Sequence, residues 1–292
     1  MARFHLTLLC FLSLVTMSTV GSSQTLFTYD TFSTPLINPA LWRGSESAVS
    51  STGTPVNTEI RRRIASSQLE LVLTTNSNAV PAGATGLTTG FTGTGTNRVR
   101  IKQAGLVDGL PEITVLQARV TVKAADVDDC ASNTTGSRTR AQVSGHFFND
   151  GTAGSGTTDL TGSIIAGLNL ERHSKEGDKI VAFINRCDDS VCSFSVNLKT
   201  MTFTRTWTLN TPETLTVRWD MDQARFQFTA TGATTEVQTL TYGDIPLRDA
   251  GLPKRFTKDL AVLNTPANCS AVQQEASMSA LFDNVRTDQP LQ

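Results

Sequence analysis

The stretch RWDMDQARFQF, Arg218 to Phe228, sets Asp220 and Asp222 one residue apart beside Trp219. Carboxylates that close can share acid/base work at a sugar or offer hard oxygen ligands to a metal. Strand alternation sends Leu215, Val217, Trp219 and Met221 to one face, and Thr216, Arg218, Asp220 and Asp222 to the other. Phe226 and Phe228 then restore the apolar face, so the stretch reads as a hairpin with Asp222 in its turn and Asp220 paired to Arg218 or Arg225. The polar side, Arg218, Asp220 and Asp222, is a candidate ligand-binding surface.

The remaining ionisable groups give few alternatives. After the amino-terminal segment only two histidines remain, His146 and His173, and there is no Gly-x-Ser-x-Gly elbow for a nucleophilic serine. His146 alternates with Ser144 and Phe148 on a strand and is the one histidine suited to base chemistry of the lyase type. It joins the ligand-binding candidates. His173 reads as a surface residue near a turn. The run from Gly83 to Gly95 lacks the Lys-Ser/Thr ending of a phosphate loop and reads as a surface loop.

Four cysteines follow the first thirty residues: Cys130, Cys187, Cys192 and Cys269. In NRCDDSVCSF the turn formers Asp188, Asp189 and Ser190 set Cys187 and Cys192 face to face, which leaves Cys130 to pair with Cys269. The opening residues read as a secretion signal over 1–23. Arg3 supplies its charge, LTLLCFLSLV its apolar core and TVGSSQ its cleavage site. Residues 24–292 are then one exported domain, secreted or periplasmic, with no transmembrane segment. A net charge of -1 with 17% charged residues excludes a field that would attract nucleic acid.

From about residue 59 the chain alternates with period two between turn signals, the pattern of an all-β sandwich or barrel. EIRRRIA, LELVLTT, VRIKQ and EITVLQARVTVKAA are strands. A long antiparallel meander follows, from RAQVSGHFF through FTRTWTL to TEVQTLTY. IPLRDAGLPKRF is a connector, TPANCSAVQQEAS has room for a short helix, and SMSALFDNVRT closes the chain.

Two end motifs carry a resemblance. YDTFSTPLINPALW, Tyr29 to Trp42, resembles the opening of concanavalin A-like lectin/glucanase sandwiches, and SALFDNVRT resembles their closing strand. The region from HFFNDG to RCDDSVC also resembles secreted bacterial sandwich proteins of unassigned activity. The resemblance implies an all-β, two-sheet antiparallel jelly-roll sandwich, concanavalin-like, in which the first and last segments lie side by side and bring Asp30 near Asp283. It also implies a structural calcium with Asp283 as ligand, and Asp30 as its neighbour. In the laminarinase-like branch the catalytic carboxylates follow Glu-x-Asp-x-x-Glu; laid on DMDQAR, that pattern meets Arg225 in the acid/base position. The expectation is therefore a non-catalytic protein that binds polysaccharide or cell-surface glycan, with Trp42, Trp207 and Trp219 as aromatics to test. The alternatives are a polysaccharide-degrading enzyme with an atypical site, hydrolase or lyase, and a structural envelope protein.

Overall fold

The computed structural model describes residues 25–51, 58–75, 97–103, 113–152, 159–192, 195–243, 245, 257–269 and 272–290. The secretion signal, the Gly-rich run and most of the connector before residue 257 lie outside the described residues.

Among the described residues there are eighteen strands and no helix. The chain begins with β1 (Phe27–Asp30), β2 (Trp42–Arg43), β3 (Ser47–Ser51), β4 (Thr58–Ala65), β5 (Gln68–Thr75) and β6 (Asn97–Gln103). It continues with β7 (Val115–Val127), β8 (Arg138–Asn149), β9 (Ser163–His173), β10 (Gly177–Cys187), β11 (Ser195–Thr202) and β12 (Glu213–Asp220). It ends with β13 (Arg225–Thr231), β14 (Thr235–Thr241), β15 (Lys258–Thr265), β16 (Asn268–Cys269), β17 (Val272–Gln273) and β18 (Ala276–Thr287).

Two antiparallel sheets hold these strands. The first runs β14-β13-β12-β7-β18-β5-β4-β3, with β1 paired to the end of β18. The second runs β11-β10-β9-β8-β15-β6-β2. The chain changes sheet on either side of β2, between β5 and β6, β6 and β7, β7 and β8, β11 and β12, and again on either side of β15. This is the two-sheet jelly-roll sandwich that the sequence leads one to expect, with first and last segments side by side.

The first sheet follows the simple rule of an antiparallel layer with one wet face. Along β12, Leu215, Val217 and Trp219 are buried while Thr214, Thr216 and Arg218 are partly exposed. The second sheet departs from it, because β9, β10 and β15 are buried on both faces over most of their length. Ala141, Val143, Ile164, Leu168, Ile180, Ile184, Leu260 and Val262 join the shared core.

Three details differ from the sequence reading. The expected single meander is two: β8 to β11 in the second sheet and β12 to β14 in the first. FTRTWTL alternates but forms no strand, because the Glu236 carboxylate accepts from the Thr204 and Arg205 amides, and the Trp207 indole N–H donates to the Glu171 carbonyl. These bonds hold the crossing between sheets in place of a ladder. No helix forms in the described part of TPANCSAVQQEAS, where β16 and β17 make a short hairpin. Trp42, Trp207 and Trp219 are all core residues; Trp219 stacks on Phe148 and donates to the Tyr242 hydroxyl.

One polar group ties the sheets through the core. Asn264, fully buried on β15, donates from Nδ2 to the Leu73 carbonyl at 3.1 Å and the Ala276 carbonyl at 2.7 Å, both in the first sheet. Its Oδ1 accepts from Thr139 Oγ1 at 2.6 Å, so the amide is satisfied on both ends. Asn264→Leu keeps the volume but leaves buried groups unpaired, each costing about 1–3 kcal/mol. We expect the urea midpoint to fall by the equivalent of at least about 2 kcal/mol with an unchanged m-value.

Candidate functional site on the outer face of the second sheet

Strand alternation points Arg98, Arg100 and Lys102 of β6 away from the core residues Val99 and Ile101. Their neighbours on the same face are Asp259, Ala261 and Leu263 of β15, then Arg140, Gln142 and Ser144 of β8. Next come Gly167, Asn169 and Glu171 of β9, and Lys179, Val181 and Phe183 of β10. The pairing aligns them in rows across the sheet. One row is Lys102, Asp259, Ser144, Gly167 and Phe183; the next is Arg100, Ala261, Gln142, Asn169 and Val181.

Two small residues shape this surface. Ala261 leaves a low point between Arg100 and Gln142. Gly167 lets the Phe183 ring lie against the sheet: a Cβ there would meet Phe183 Cζ and Ser144 Cβ, each at 2.6 Å. The result is a hydroxyl and two amides beside an aromatic ring.

His146 reaches the face by the same alternation as Gln142 and Ser144, and a bulge between His146 and Phe148 breaks the register with β9 just beyond it, which turns Phe148 inward. Simple alternation would put His146 and Phe148 on one side. Instead Phe147 and Phe148 both enter the core, and His146 stays outward with Nδ1 3.9 Å from Cys187 Sγ. Burial, together with Lys102, Lys258, Arg100 and Arg98, pushes its pKa down to about 3. The ring is neutral throughout the physiological range.

The face is polar, nearly enclosed and incompletely paired. Ser144, His146, Asn169 and Phe183 are each no more than 6% exposed. Asn169 Oδ1 and Asp259 Oδ1 are buried acceptors with no hydrogen-bond partner. The other Asp259 oxygen meets Arg100 Nη1 at 3.2 Å. Burial and neighbouring Arg100 lower the Arg98 pKa to about 10, while Asp259 opposes that shift. Burial and Arg138 lower that of Arg140 to about 10, with Glu171 opposing.

Arg218, Asp220 and Asp222 lie elsewhere. They belong to the β12–β13 hairpin, on and beside the outer face of the first sheet, with the whole core between them and His146. Asp220 is bound to Arg225 at 2.9 Å and caps the turn by accepting from the Gln223 amide. The four residues named together from sequence therefore form no single site. Gln142, Ser144 and Asn169 were missed there. Their signal was present, since Gln142, Ser144 and His146 alternate with apolar Val143 on β8.

The calcium reading meets a poor donor set. β1 pairs with β18 and sets Asp30 opposite Val285, two residues from Asp283. Asp30 already accepts from the Phe32 amide and the Trp42 indole, each at 2.7 Å, and Asp283 accepts from the Asn284 backbone and side-chain amides. Calcium needs six to eight oxygens, and among the described residues no third acidic group joins this pair. The pair does not fit the ion. The disulfides Cys187–Cys192 and Cys130–Cys269 are both formed. His173, read as a surface residue, is 7% exposed.

No protein-family model matches the chain, and no curated protein matches it. Solved structures do. A non-specific endo-β-1,3(4)-glucanase of family GH16, SCLam, is 13% identical, with 91% of this chain and 92% of that one covered at a TM-score of 0.46. The PL-14 alginate lyase of the marine animal Aplysia kurodai is 9% identical over 91% and 99%, TM-score 0.40. Winged bean acidic lectin, solved with methyl-α-D-galactose, is 9% identical over 89% and 98%, TM-score 0.39.

The neutral state of His146 has a measurable consequence. In the unfolded chain the ring regains a pKa near 6.5, so the unfolded state binds the proton first as pH falls. The contribution of the neutral ring is complete above pH 6.5 and is lost as pH falls towards 3. Between pH 7 and 4, the urea midpoint of His146→Gln should fall less steeply than that of the wild type. An NMR titration should show the folded His146 ring unprotonated at pH 5.

Proposed function

We propose that this protein is exported and binds carbohydrate on the outer face of the second sheet, centred on Gln142, Ser144, His146 and Asn169. The observation that carries the reading is the convergence of these groups from β8 and β9 beside the Phe183 ring, with the buried Asn169 acceptor left without a hydrogen-bond partner. Sugars offer hydroxyl donors and acceptors together with apolar C–H faces. A surface that recognises them combines directed polar groups with an aromatic ring. Arg218, Asp220 and Asp222 contribute at most a separate, solvated surface.

A second reading is supported by His146 itself. A neutral imidazole among cations is the arrangement that a polysaccharide lyase requires. The imidazole takes the proton from the carbon beside a sugar carboxylate, cations stabilise the developing charge, and the glycosidic oxygen on the next carbon leaves, taking the proton back from the imidazolium, as the carbon–carbon double bond forms. The carboxylates described on the strands of this face, Asp259 and Glu171, stand in different rows and are each held by a cation, which does not favour a hydrolytic pair.

A glycan array run beside reducing-sugar and unsaturated-product assays separates these readings. Binding without turnover, lost in Gln142→Ala and Asn169→Ala but kept in Asp222→Asn, is the expected result. Unsaturated product abolished by His146→Ala would replace it with the lyase reading. Binding that survives both amide substitutions would remove this face from the account.

A further inference from the structure

The charge on this face narrows the ligand. Among the described residues seven cations point outward: Arg43, Arg98, Arg100, Lys102, Arg138, Arg140 and Lys179. Three carboxylates, Asp259, Glu171 and Glu176, stand against them. Lys179 is paired with Glu171 at 3.2 Å and Arg100 with Asp259 at 3.2 Å. Among the described residues Arg98 and Lys102 make no ion pair, although both flank Arg100 on β6. Three adjacent cations on one strand face share the single carboxylate of Asp259, so positive charge is left over along β6 and favours an anion beside it. The whole chain, with its net charge of -1, has no such excess. The imbalance is local.

Two further features select the kind of anion. Asn169 Oδ1 and Asp259 Oδ1 are buried acceptors that need donors. A DNA phosphodiester backbone has anionic oxygens but no hydroxyl donors along its length, whereas a sugar acid has both. Arg100, held by Asp259 and standing beside the low point at Ala261, presents a planar fork suited to a carboxylate. We infer that the glycan bound on this face is a uronic-acid polymer, whose carboxylates lie along Arg98, Arg100 and Lys102 while its hydroxyls meet Gln142, Asn169 and Asp259.

This inference rests on the carbohydrate reading above, and one experiment separates the two. Binding is measured by calorimetry with a hexuronic-acid oligomer, a neutral gluco-oligosaccharide of equal length, and single-stranded DNA, each at low and raised salt. The uronic-acid oligomer should bind and weaken with salt. Arg100→Ala and Lys102→Gln should each weaken it about tenfold, the loss of one charge-assisted contact. Lys123→Gln, on the outer face of the first sheet, should leave it unchanged. Lys102→Gln guards against misfolding in Arg100→Ala, because Lys102 has no ion pair to lose. Equal affinity for the neutral oligomer would overturn the uronic-acid inference and leave the carbohydrate reading intact. Equal affinity for DNA would overturn it in favour of a non-selective cationic field. Binding to none of the three would overturn both.

Discussion

The arrangement of this protein depends on the second sheet being buried on both faces over most of its central strands. Its inner face must be apolar to match the first sheet, and burial of that area is the main favourable term in folding. Its outer face is almost as dry, yet it carries Ser144, His146, Asn169 and Asp259. Polar groups removed from water cost free energy unless they are paired, so a face of this kind holds interactions that a solvated one would not. The same low polarity keeps His146 neutral and lowers the Arg98 and Arg140 pKa values.

The inner face supplies the rigidity that such a surface needs. Phe147, Phe148, Phe226, Trp219 and Tyr242 pack in one aromatic cluster under the end of β8 that presents His146. The Lys258 ammonium lies 4.1 Å from the Phe147 ring centre and donates to the His146 carbonyl, fixing the bulge from below. Cys187, bonded to Cys192, closes the end of β10 against the imidazole.

Short-range features were legible in the sequence because their causes are local. The β12–β13 hairpin follows from alternation and a turn, and Cys187–Cys192 from five residues of turn chemistry. The central strand β15 was not read, and the reason is physical: KDLAVLN is buried on both faces, so it shows no alternation to detect. The tryptophans lie in the core, as their apolar neighbours imply, while alternation on β10 sets Phe183 on the outer face and Gly167 leaves room for its ring.

By itself the sequence determined the class of fold, the hairpins, and the choice of cysteine partners, because periodicity, turn residues and spacing act over a few positions. Only the tertiary structure decided which polar residues share a surface. Arg218, Asp220 and Asp222 are separated from His146 by the core, while residues 100, 142, 169 and 259 are joined in neighbouring rows. The reason is that cross-strand register and sheet assignment, set by how two apolar faces close on each other, have no signature within any single stretch of chain.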